Sequence, residues 1–200
     1  ARIALVYSQG FNPKPRVQFG PALAVGIESH GEYLDLWSFM RLDAETAVAA
    51  INGALPRGLS VSALREIGSD APGLSESVRA ARYLARLPEG LSPSLALAAF
   101  AVREAHSATR EKNGKTDTFP LRDWLLDVAE ADATSFRMTL AAGGEGASVR
   151  PDEVLTIMFG EAAKEIRLVR EDLAVVWGDR LVNPMLADSA AVPVVERAAG

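Results

Sequence analysis

VQFGPALAVGIESHGEYLDLWSFM, Val17 to Met40, is the stretch that decides the fold. Val17, Phe19 and the run from Ala22 to Ile27 form an apolar segment, and Ser29 to Gly31 supplies a turn. Tyr33, Asp35 and Trp37 then alternate with Leu34, Leu36 and Ser38. Alternation with period two is what half-buried strands require, so the stretch predicts an antiparallel pair.

On the C-terminal side, Asp43 can cap a helix with Glu45 in its first turn and a stripe of Ala47, Val48, Ile51 and Leu55. Leu55-Pro56 and Gly58 end that helix, and LSVSALREI, Leu59 to Ile67, predicts another strand. The order strand, strand, helix, strand becomes the βαββαβ unit of a ferredoxin-like domain once a strand and a helix are placed before it. The nearness of the unusual Ser8 segment to Ala1 predicts that these two elements precede Ala1.

GSDAPGLSES, within a linker over 68–79, has no periodicity. Beyond it, RYLARLP predicts a strand, and Ser92-Pro93 opens a helix with a cap and a proline at its first position. HSATREK and KTDTFPL flank Asn113-Gly114, a strong hairpin signal. TSFRMTLAA predicts a strand closed by a Gly143–Gly146 turn, Pro151-Asp152-Glu153 opens a short helix, and EIRLVREDLAVVW returns as a strand. The expected class is therefore α+β, with two ferredoxin-like βαββαβ-type domains. The first, over 1–67, lacks its N-terminal strand and helix; the second, over 80–182, gains a hairpin; residues 183–200 form a loose tail.

The chain has no cysteine, which excludes disulfides, thiolate metal sites and an iron–sulfur cluster held by this chain. Its net charge of −5 is spread as 0 over 1–67, −1 over 68–144 and −4 over 145–200. A general nucleic-acid grip needs a strongly basic face, so any such contact here is local. No apolar run approaches a membrane span, and the expected location is cytoplasmic.

Two surface features hold local positive charge. In SQGFNPKPR, Ser8 to Arg16, Pro13 and Pro15 fix backbone φ, Gly10 admits positive φ, and Asn12 can close a turn. The product is a stiff loop presenting Phe11, Lys14 and Arg16, and stiffness lowers the entropy lost on binding. Arg110, Lys112 and Lys115 surround the Asn113-Gly114 turn. If the two tips share a face they could touch phosphate or an acidic partner. Each also has a plainer reading, as a proline-rich turn and as a solvated hairpin tip. Glu28, Glu32 and Asp35 lie close along the first hairpin, and Glu32 and Asp35 are the candidates for acid–base work. His30 and His106 have nothing that brings them together, so no metal site is expected.

SQGFNPKPRVQFGPALAVGIES with EYLDL, and later REKNGK, the Leu121-Arg122 pair of FPLRDWL, and VRPDEVLTIMFG, resemble the radical-SAM-linked protein family, a bacterial domain family of unknown function. The resemblance spans about Ala1 to Leu173. It departs at Lys14, where His is common, and at Asp123, where Pro often follows Leu-Arg. Members are often fused to, or encoded beside, radical SAM enzymes, with ribosomal proteins and an RNA-processing ribonuclease in the neighbourhood. The resemblance implies a radical SAM protein or domain as partner, with RNA or a ribosomal component as substrate. S-adenosylmethionine and the iron–sulfur cluster would belong to that partner, and no cofactor is expected on this chain. The expected binding residues are Gly10 to Arg16, Arg110, Lys112, Lys115, Arg122 and Arg150. Two other readings stay open: an independent enzyme using Asp35 or Glu32, and a purely structural assembly protein.

Overall fold

The structure, a computed structural model, describes residues 3–68, 70–112, 114–142 and 149–187, and at Lys112, Lys115 and Trp177 the backbone alone. The first elements are β1 (Val17–Phe19), β2 (Glu28–Ser29), β3 (Leu34–Leu36) and α1 (Ala44–Asn52). They are followed by α2 (Leu74–Ser77), β4 (Val78–Arg86), α3 (Pro93–Ala101), β5 (Ser107–Lys112) and β6 (Lys115–Pro120). The last are α4 (Leu121–Trp124), β7 (Leu125–Asp132), β8 (Ser135–Ala141), α5 (Pro151–Phe159), β9 (Arg167–Trp177) and β10 (Arg180–Val182). No helix among the described residues is long and apolar enough to cross a membrane.

The chain is mixed α+β. Its main sheet runs β10-β9-β4-β8-β7, every neighbouring pair antiparallel, and β2 lies parallel to β9 beside Val169 and Arg170. Strand alternation explains the core. Val78, Ala85, Phe136, Met138, Leu140 and Leu173 are buried, whereas Arg79, Arg86 and Arg137 of the same strands are exposed. Helices α3 and α5 seal the core with Ala96, Val154 and Leu155, and Phe159 stacks on Phe136 with ring centroids 5.7 Å apart. Burial of each large apolar side chain is worth about 1.5–3 kcal/mol, which makes this sheet the stabilising centre of the chain.

Of the expected pair, Val17–Phe19 and Leu34–Leu36 form strands in the register Val17↔Leu36, Gln18↔Asp35 and Phe19↔Leu34, whereas residues 22–27 form no strand and Ser29, expected in the turn, belongs to β2 beside β9. Asp43 caps α1 by accepting from Thr46 N at 2.9 Å, and Ser92 caps α3 ahead of Pro93. The hairpin β5–β6 pairs from Ser107↔Pro120 to Lys112↔Lys115. The expected turn at Gly143–Gly146 lies outside the described residues.

Three further elements differ from expectation. The stretch expected to be a linker holds α2 and the first residues of β4. Leu59 to Ile67 forms no strand: the Asn52 side chain takes both the Val61 N–H, at 2.7 Å, and the Val61 C=O, at 2.9 Å, doing locally what a neighbouring strand would do. Conversely, Leu125–Asp132 is a strand that alternation does not reveal. Register shifts at Leu125/Asp127 and Glu130/Asp132 place Leu125 and Val128 inside three residues apart, so the apolar period is broken by bulges. Of the tail, residues 183–187 are held by hydrogen bonds. Asn183 bonds Asp172 at 2.9 Å, and Arg65 donates to the carbonyls of Pro184 and Ala187.

Candidate recognition site

The Ser8–Arg16 loop is closed at its neck by paired backbone. Ser8 N–H donates to Lys14 O at 2.8 Å, Lys14 N–H to Ser8 Oγ at 3.0 Å, and Tyr7 bridges Pro15. Gly10 adopts φ of 146°, a region that disfavours a side chain. At the apex Phe11 is fully exposed. Its phenyl ring thus projects from a short loop that carries two prolines.

Below the neck three segments meet in a closed ring of backbone hydrogen bonds. Val6 N–H donates to Trp37 O at 2.7 Å, Trp37 N–H to Arg16 O at 3.2 Å, and Arg16 N–H to Val6 O at 2.7 Å. Arg16 then lays its guanidinium over the Trp37 ring, 4.3 Å from the centroid. The loop is thereby fixed to β3.

The segment after the loop is docked on β9 by groups that strand alternation alone did not single out. Arg170 is buried in the middle of β9 and its Nε donates to Glu32 Oε1 at 2.8 Å. It also reaches the carbonyl of Pro21 at 3.0 Å, so one guanidinium ties down both ends of the apolar run. Gly31 passes so close to β9 that a Cβ there would lie 2.7 Å from Asp172 Cα. Next in line, Tyr33 Oη donates to Asp172 Oδ1 at 2.5 Å and accepts from Asn183 Nδ2 at 2.5 Å. Burial, then the hydrogen bond to Asp172, push the Tyr33 phenol well above its ordinary range. The sequence signal for this docking is the charged triplet Arg170-Glu171-Asp172 set between the apolar residues of LVREDLAVV.

Asp35 and Glu32 therefore sit in different surroundings. Glu32 is engaged by Arg170 and by Ser29 Oγ. Asp35 lines a cleft of about 930 Å³ between the β1–β3 pair and residues 64–68 and 71–76. Its Oδ2 accepts the Leu74 N–H at 2.8 Å, and burial raises its carboxyl above the ordinary value against that hydrogen bond.

The remaining candidates are drawn into local structure. Arg110 donates through Nε and Nη2 to the two Glu153 oxygens, each at 2.8 Å, and stands over the Phe119 ring at 5.1 Å. Arg150 precedes α5, where its N–H donates to Glu153 Oε2 at 2.8 Å. Arg122 pairs with Glu104 and Asp123, both at 3.4 Å, with half its side chain in water. The backbones of Lys112 and Lys115 face each other at the hairpin end. The backbone N–H of His30 donates to Arg170 O at 2.9 Å, whereas His106 lies just before β5. No group of three or more His, Cys, Asp or Glu residues that could hold a metal ion occurs among the described residues.

The chain is thus an α+β protein in which a short loop carrying Phe11 and Lys14 lies beside an open cleft. The chain belongs to a bacterial family described as "Uncharacterized protein conserved in bacteria (DUF2344)", whose model matches residues 1–151. Neither the curated proteins nor the solved structures contain a match to it.

Proposed function

We propose that this chain is a non-catalytic accessory or substrate-binding module, working beside a radical SAM enzyme in the cytoplasm on RNA or a ribosome-related substrate. The observation that carries the binding role is Phe11, fully exposed on a loop locked by two prolines and by the Ser8–Lys14 bonds. The Lys14 cation beside it gives an anionic partner surface something to meet. The radical SAM partner is suggested by the resemblance of the SQGFNPKPRVQFGP segment and its companion motifs. The order β9-β4-β8-β7 supports reading residues 80–182 as a ferredoxin-like unit, a frame compatible with RNA binding.

A second reading has one observation in its favour. The raised carboxyl of Asp35, at the edge of a cleft, suits general acid–base work in an independent enzyme acting on RNA or a small molecule.

The test is co-purification of the tagged chain with a radical SAM protein and salt-sensitive retention of RNA, in wild type and in Phe11→Ala and Lys14→Glu. Both variants are expected to lose one or both partners while melting at the wild-type temperature. Unchanged retention of both partners in both variants would refute the loop's role.

A further inference from the structure

The cleft beside the loop has a composition of its own. One wall carries the indole of Trp37 with Arg16 on its face, followed by Phe39 and Met40, which are 74% and 68% exposed. Flat apolar side chains left in water beside a cavity offer a stacking surface, and stacking one base is worth about 1–3 kcal/mol. The cleft also offers an acceptor. Asp35 spends one oxygen on Leu74 N–H, and an ionised carboxylate retains capacity for further donors. At the same site stands a cation in a weak pair: Arg41 Nε meets Glu66 Oε2 at 2.7 Å, with side chains 84% and 64% exposed. Such a pair is worth about 0–1 kcal/mol and yields readily to a doubly charged anion that the guanidinium can hold with two donors.

We propose that this cleft binds a single nucleotide, its base against Phe39 and Trp37, its exocyclic amino group donating to Asp35, and its phosphate replacing Glu66 on Arg41. The inference rests on the reading of the chain as a binding module and names the ligand chemistry. A cleft of about 930 Å³ falls within the usual size range of small-molecule sites. Amino-bearing bases offer Asp35 an exocyclic N–H2 donor, whereas the one edge donor of uracil, N3–H, is flanked by two carbonyl oxygens that repel the carboxylate, so the site disfavours uracil. The nucleotide could be free or an unstacked residue of an RNA strand.

The full chain is titrated calorimetrically with AMP, CMP, GMP and UMP and with a single-stranded CMP-containing hexanucleotide. CMP is expected to bind at least fivefold more tightly than UMP. Phe39→Ala and Arg41→Ala should each weaken CMP at least tenfold with no change in melting temperature. Asp35→Asn, which still offers an oxygen to Leu74, should erase the CMP preference. Hexanucleotide binding tenfold tighter than CMP identifies RNA as the source, and equal binding identifies the free nucleotide. Absence of monophosphate binding at millimolar concentration overturns the proposal, as does affinity unchanged in Phe39→Ala and Arg41→Ala. Phe11→Ala separates the two sites: loss of RNA retention with CMP binding intact supports loop and cleft alike. RNA retention sensitive to Phe11→Ala without any monophosphate binding leaves the loop standing and removes the cleft.

Discussion

Arg170 and Glu32, 138 residues apart in the chain, form an ion pair in which the guanidinium is buried and the carboxylate is half in water. The cation is almost wholly shielded from water, so its charge is tolerated through Glu32 and the carbonyls of Pro21 and Ala22.

Removing the anion alone should therefore cost more than removing both partners. Glu32→Ala is expected to lower stability by about 3–5 kcal/mol, because it leaves the buried guanidinium uncompensated. Arg170→Ala should cost less, about 1.5–3 kcal/mol for the lost charged hydrogen bonds, because the Glu32 carboxylate left behind is half in water. The double replacement Arg170→Met with Glu32→Leu should recover most of the loss. Urea unfolding midpoints of the three variants check this, and a double variant less stable than Glu32→Ala would contradict it.

Tyr33 gives an alkaline signature. Its phenol is pushed upward in the folded chain, so its contribution is complete below the ordinary tyrosine pKa of about 10 and is lost as pH rises above it. Tyr33→Phe should cost about 1 kcal/mol at neutral pH and flatten the alkaline limb of the stability curve. Thermal melts from pH 7 to pH 11 provide the measurement; parallel curves for the two proteins would argue against the assignment.

Glu153 gives the acidic counterpart. Burial raises its carboxyl, but the hydrogen bonds and charges of Arg110 and the Arg150 N–H outweigh that and hold it below the ordinary value of 4.5. A depressed carboxyl stabilises the fold above the unfolded value and loses that contribution as pH falls below 4.5 toward the folded one. Glu153→Gln should be less stable than wild type at pH 7 and converge with it at pH 2. Urea midpoints across that range test the sign, and a gap that persists at pH 2 would show that charge is not the cause.

Much of this was legible in the sequence because it is local. The β1–β3 pair follows from alternation around Asp35, the α1 start from Asp43, the α3 start from Ser92-Pro93, and the hairpin from its flanking runs. The failures occur where a side chain substitutes for backbone or a bulge resets the period. Asn52 answers Val61 and removes a strand, while two register shifts disguise β7. At the site, proline spacing revealed the stiff loop, but no spacing rule links Glu32 to Arg170 or Asp35 to Leu74, because those partners are brought together by tertiary packing. For the same reason Arg110, read as a cation of the hairpin tip, is found across the β5–α5 junction against Glu153.

The ring of hydrogen bonds through Val6, Arg16 and Trp37 works like a three-legged joint. None of the three segments can tilt without breaking a bond to each of the other two. Arg16 belongs both to the neck of the Phe11 loop and to the wall of the cleft, so the distance between those two surfaces is set when the chain folds. A ligand or partner long enough to touch both meets a ruler of fixed length, and none of its binding energy is spent on bringing the marks into line.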